Sequence, residues 1–161
     1  MEYRVDASTD ASLVFRRLRP RTPSYRTAPL LEGFNWSDCV GDLPTGEWYM
    51  VAFRSIRRDL GENLTLEMYD YGAYIEAQRR GSGLVFYFRG TPNDRRECLS
   101  FCIWMNREEA MRAAQRPLHE AAKRVVDDTY EWYSLERYIL RKSLGQDRLE
   151  LQDIDPLTQA S

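Results

Sequence analysis

Lysine, histidine and cysteine are scarce in this 161-residue chain, and each shortage closes a class of chemistry. The 23 basic residues include only Lys123 and Lys142 as lysines; the other 21 are arginines. A single histidine, His119, leaves no multi-histidine metal site. Three cysteines, Cys39, Cys98 and Cys102, make neither a disulfide framework nor a metal set. No apolar run approaches the roughly 20 residues of a membrane span, and the first residues lack the apolar core of a secretion signal. The expectation is a cytoplasmic protein without membrane contact, whose sequons at Asn35 and Asn63 go unused. Glycine-rich phosphate loops, Ser/His/Asp patterns and paired acidic metal motifs are also missing, so no cofactor and no metal is expected.

What is present describes an ordinary folded domain, with 43% hydrophobic and 30% charged residues. The arginine surplus raises the question of nucleic acid, because arginine recognises phosphate. Charge balance answers it. With 25 acids the net charge is −2 and the isoelectric point about 5.6, which leaves no footprint for a polyanion. The bias towards arginine reads instead as genomic base composition.

Three regions differ in character. Residues 1–45 hold Pro20, Pro23, Pro29 and Pro44 and a basic cluster from Arg16 to Arg26. They read as an extended, solvated arm with a short helix near Phe34–Val40. Residues 46–143 carry the dense pattern, and residues 144–161 read as an acidic, flexible tail. Within the middle region, Glu47–Ile56 is a strand by its aromatic and β-branched content. Helical spacing of Leu66, Tyr69, Ala73 and Ala77 predicts a helix over 62–80. Strands follow at Leu84–Arg89 and Cys98–Met105, across the turn chemistry of Gly90–Asp94. Asn106 and Glu109 have cap spacing and open a second helix, broken at Pro117. A last strand runs over Ser134–Lys142.

This β-α-β-β-α-β order is the ferredoxin-like α+β arrangement: a four-stranded antiparallel sheet with two helices on one face. Alternation sets Tyr49, Val51 and Phe53 against Trp48, Met50, Ala52 and Arg54. It likewise sets Cys98, Ser100, Cys102 and Trp104 against Leu99, Phe101, Ile103 and Met105. Both faces are largely apolar, so one takes the helices and the other needs a second cover. A homodimer packed sheet on sheet is the expected cover.

The run Ser100-Phe101-Cys102-Ile103-Trp104, continuing through Asn106–Ala110 to Arg116-Pro117-Leu118-His119, resembles the dimeric α+β barrel superfamily, which includes antibiotic-biosynthesis-type monooxygenases. Trp48–Ser55, Tyr130–Tyr138 and Ala28–Trp36 are similar to an uncharacterised, mainly fungal family of small proteins. The resemblance spans about residues 28–142. It implies the fold, and a small-molecule site between sheet and helices as in cofactor-free oxygenases, isomerases, cyclases and decarboxylases, some relatives being haem-degrading enzymes. An aromatic or polyketide-like substrate fits the aromatic supply. The alternative is a non-catalytic binding or interaction protein on the same fold.

Candidate catalytic residues are Arg54, Asp70 and His119, and candidate substrate-binding residues are Trp48, Met50, Tyr74, Phe86, Cys102 and Trp104. Arg54 and Arg89 interrupt apolar strands, and an inward charge requires a partner. Arg54 either holds a substrate anion or pairs with Asp70, Glu67 or Glu136; Arg89 either turns inward or reaches solvent at a strand end. His119 sits at the edge of a helix's buried face, as a structural side chain, a proton-transfer group or, by the resemblance, a haem ligand. Asp70 and Glu76 are helix acids, either solvated or working as a general base. Cys98 and Cys102 lie about 13 Å apart on a strand, too far to share a metal or a disulfide. Each is a small wall residue or a reactive thiol.

Overall fold

A computed structural model of the chain describes residues 7–58, 83–115 and 126–154. The expected helix over 62–80 lies outside these residues, and so do Asp70, Tyr74, Pro117 and His119. Strands β1 (Gly46–Arg57), β2 (Leu84–Phe88), β3 (Glu97–Trp104), β4 (Tyr130–Lys142) and β5 (Glu150–Asp153) form one sheet in the order β2-β3-β1-β4-β5. Every neighbouring pair is antiparallel. The first four strands have the ferredoxin-like order. The fifth corrects the four-strand expectation. Within the stretch read as a flexible tail, Leu151 pairs with Leu140 and Asp153 with Tyr138, because Glu150–Asp153 alternates half-buried with exposed side chains.

Register places the residues in cross-strand rows. One face carries Trp104–Tyr49–Ile139, Cys102–Val51–Arg137, Ser100–Phe53–Leu135 and Cys98–Ser55–Tyr133. The other carries Ile103–Met50–Tyr138, Phe101–Ala52–Glu136, Leu99–Arg54–Ser134 and Glu97–Ile56–Trp132. Helix α4 (Arg107–Ala114) covers the end of the first face, Ala110 and Ala113 packing with Tyr49 and Trp104. Its start is the expected cap: the Asn106 side chain accepts from the Glu109 amide at 2.9 Å. The β2–β3 connection needs Gly90, since a Cβ there would lie 1.8 Å from the Leu99 carbonyl oxygen.

The second face is covered by the chain itself. Residues 7–43, expected to be an extended arm, hold α1 (Ala7–Phe15), α2 (Leu30–Gly33) and α3 (Ser37–Val40) and enter the main core. Phe15 meets Trp48 edge to face at 5.3 Å, and Phe34 meets Phe88 and Phe101 at 5.0 and 5.2 Å. Trp36 is buried beside them, its indole N–H donating to the Leu30 carbonyl at 2.8 Å. Met50, Ala52, Leu99 and Ile103 have no exposed surface. This corrects the dimer expectation: the face reserved for a second copy is filled by the N-terminal segment. Helical spacing is present in the segment, at Ala11, Val14, Phe15 and Leu18 and again at Trp36, Cys39, Val40 and Leu43, but each run spans only two turns and prolines stand between them, so it did not read as part of the core.

Polar ties hold the segment in place. Asn35 accepts from the Arg19 amide at 2.6 Å and donates to the Arg17 carbonyl at 3.2 Å, which closes the loop between them. Lys142, one of the two lysines, donates to the Val40 and Leu43 carbonyls after α3. We expect Phe34→Ala to cost about 3–5 kcal/mol in urea unfolding, as for a buried aromatic truncated in a core. Leu144→Ala, at a side chain 86% exposed, should change stability by less than about 0.5 kcal/mol.

Candidate functional site

Arg54 lies on the covered face, and its partners are supplied by the protein. Its Nε donates to both Glu136 carboxylate oxygens, at 3.2 and 2.9 Å. Its terminal nitrogens donate to the carbonyls of Arg26 and Ala28, each at 2.8 Å. Tyr138 donates its hydroxyl to Glu136 at 3.2 Å. The side chains of the pair are only 13% and 12% exposed. Of the alternatives left open by the sequence, the structure selects the ion pair with Glu136. Register explains the choice: Glu136 is opposite Ala52, diagonal to Arg54 on the same face.

The other residues proposed from the sequence separate onto two faces. Trp48, Met50 and Phe86 belong with Arg54 to the face beneath the N-terminal segment, where they are core rather than pocket wall. Cys102 and Trp104 lie on the opposite face with Tyr49 and Ala113. One cavity cannot contain both sets, because the sheet stands between them. Arg89 follows β2 and is exposed, as the strand-end reading has it.

The helix-side face has its own geometry. In its first row Tyr49 and Trp104 are buried, and in its last row Ser55 and Cys98 are buried. Between them Val51, Cys102 and Arg137, then Phe53 and Ser100, are only partly covered, and Leu135 is 36% exposed. Val51 and Phe53 are on the central strand, where a packed core has its deepest residues. Val51 and Phe53 are thus less covered than Tyr49 and Ser55 on either side of them along the same strand. Phe53 forms one wall with Tyr130 at 5.0 Å and Tyr133 at 5.7 Å, the latter stacked. Phe53, Leu135 and Arg137 were not among the proposed site residues; sharing rows with Ser100 and Cys102 is the signal that identifies them.

Cys102 is held as a thiol. Trp104 donates its indole N–H to the sulfur at 2.9 Å, and the sulfur donates to the Val51 carbonyl at 3.7 Å. Burial pushes its pKa up to about 11, against the lowering effect of these contacts. Burial also raises the Cys39 pKa. A thiolate is the reactive form, so the chemistry assigned to Cys102 as a nucleophile is suppressed near neutral pH.

A ferredoxin-like antiparallel sheet with most of one face covered by its own N-terminal segment defines the class. Residues 4–153 match the model of the PB2B2.08-like family, and the chain belongs to that family. No curated protein matches it in sequence. Among solved structures it is similar to SnoaB, a cofactor-independent oxygenase from Streptomyces nogalater, at 14% identity and a TM-score of 0.47, covering 62% of this chain and 98% of that one. It is also similar to a Bacteroides thetaiotaomicron protein provisionally named an antibiotic biosynthesis monooxygenase, at 14% identity and TM-score 0.46, covering 68% and 90%. A dimeric ferredoxin-like protein of unknown function from Bacteroides fragilis matches at 18% identity and TM-score 0.45, covering 56% and 94%.

Two measurements test this description. Arg54→Ala leaves the Glu136 carboxylate buried without its cation, and should lower unfolding free energy by about 3–5 kcal/mol. Native iodoacetamide labelling at pH 8 should modify Cys102 at least about a hundredfold more slowly than a free cysteine. The rate should rise with pH towards 11, since the thiolate forms only as pH approaches the folded pKa. Rapid labelling at pH 7 would contradict the burial of this thiol.

Proposed function

We propose that the chain binds a flat, aromatic or polyketide-like small molecule in the gap between sheet and helices, over the Val51 and Phe53 rows. The observation that carries this reading is that Val51 and Phe53, on a central strand, are only partly covered while Tyr49 and Ser55 on either side of them are buried. The stack of Phe53 on Tyr133, whose ring is 45% exposed, supports a planar ligand. The enzymatic form of the proposal is cofactor-free chemistry of the oxygenase, isomerase, cyclase or decarboxylase kind. Asp70, His119 and Tyr74 are its remaining proton-transfer and binding candidates, whereas Arg54 is excluded because its guanidinium ties segment to sheet on the opposite face. A homodimer would form on a surface other than the Trp48–Met50–Ala52 face, which Phe15, Phe34 and Trp36 help to fill.

Native mass spectrometry of protein purified from its own cells tests the gap directly. The expected spectrum shows a retained small molecule in the wild type that Val51→Trp, which fills the gap, does not carry. Bare chain in both preparations would count against the reading. If a ligand is found, Phe53→Ala should weaken it by roughly three- to tenfold, the loss of one aromatic contact.

A further inference from the structure

The N-terminal segment does not cover its whole face. It passes over the Leu99–Arg54–Ser134 row, where Arg54 holds the Arg26 and Ala28 carbonyls, and leaves the final Glu97–Ile56–Trp132 row open. The result is a cleft of about 210 Å³ lined by Arg26, Thr27, Arg54, Ile56, Glu97 and Trp132, with Ser55 and Cys98 also reaching it at the end of the sheet. Val51 and Phe53 take no part in its lining.

The charges around this cleft pair off unequally. Arg54 is paired with Glu136 in a buried ion pair, and Glu97 accepts from Asn93 at 3.1 Å and meets the exposed Arg95 at 3.1 Å. Arg26 has neutral partners: its Nε donates to the Thr91 carbonyl at 2.7 Å, its Nη2 to the Thr91 hydroxyl at 3.3 Å, and its guanidinium lies 4.4 Å from the Tyr25 ring centre. Among the described residues no carboxylate balances it, and its Nη1 is left unengaged. The cleft therefore combines a positioned guanidinium that retains its charge with an exposed indole and an aliphatic wall. Trp132 is 44% exposed, an unusual state for a tryptophan in a chain whose Trp36, Trp48 and Trp104 are at 5%, 5% and 6%. Volumes of typical drug-sized sites begin near about 300 Å³, so this cleft suits a smaller ligand of roughly ten heavy atoms.

We propose that this cleft is a second binding site, for a small planar carboxylate of benzoate size, with its ring against Trp132 and Ile56 and its carboxylate on Arg26. Guanidinium selects the anion, because a carboxylate accepts charge-assisted hydrogen bonds that a neutral amide does not. The indole face selects a flat ring over a bare anion such as phosphate.

Trp132 supplies the readout, since it is the tryptophan that acrylamide reaches. Benzoate should protect its fluorescence from acrylamide quenching with a dissociation constant on the order of 1 mM, whereas benzamide and inorganic phosphate should bind at least about tenfold more weakly. Arg26→Gln should weaken benzoate about tenfold or more, read by calorimetry. Trp132→Leu, at an exposed ring whose loss leaves the core intact, should weaken it comparably in the same calorimeter. Phe53→Ala should leave benzoate binding unchanged, which separates this site from the helix-side gap. No protection up to about 10 mM benzoate, equal binding of benzamide, or wild-type affinity in Trp132→Leu would each overturn the proposal.

Discussion

The contact on which the architecture turns is the buried pair of Arg54 with Glu136. A guanidinium and a carboxylate at 13% and 12% exposure both lose hydration, and that loss is offset only when their hydrogen bonds are met. Glu136 and the Tyr138 hydroxyl meet part of this need from within the sheet. The rest comes from the carbonyls of Arg26 and Ala28, which belong to the N-terminal segment. The pair therefore joins β1 to β4 and anchors the segment at a defined height over the sheet. Hydrophobic burial alone would not set that position, because apolar attraction has little directional preference.

Once the segment is seated, the two faces acquire different roles. Beneath it, Phe15 meets Trp48 edge to face and Phe34 meets Trp36, Phe88 and Phe101 in the same way, which closes this part of the face. Lys142 performs at α3 what Arg54 performs before α2, binding backbone carbonyls that would otherwise face apolar surroundings. The arginine surplus thus resolves into a few structural positions and many solvated ones. On the other face α4 packs over Tyr49 and Trp104 at one end, while Val51 and Phe53 are only partly buried.

Much of this was legible in strand alternation. The separation of Trp48, Met50, Ala52 and Arg54 from Tyr49, Val51 and Phe53 follows from the two-residue period alone. So does the separation of Cys98 and Cys102 from Leu99 and Phe101. Alternation within each strand does not say which side of β3 lies with Arg54 and Trp48; the register of β1 against β3 decided that and put Cys102 and Trp104 on the opposite face. Grouping them in one pocket overlooked that a sheet is a wall. Phe53 and Leu135 escaped notice because an apolar strand residue looks like core until its neighbours in the row are known.

The order of the first four strands, the cap at Asn106, the turn after Gly90 and the alternation of side chains along each strand were determined by the sequence itself. These are local properties, written in the spacing of neighbouring residues and in the stereochemistry of single positions. Tertiary structure decided what covers the second face, which partner Arg54 takes, and where cover stops short of Trp132. Those outcomes depend on residues far apart in the chain. Arg54 and Glu136 are 82 positions apart, and no local period records that distance. Apolar alternation states that a surface must be buried; only the folded chain determines which atoms bury it.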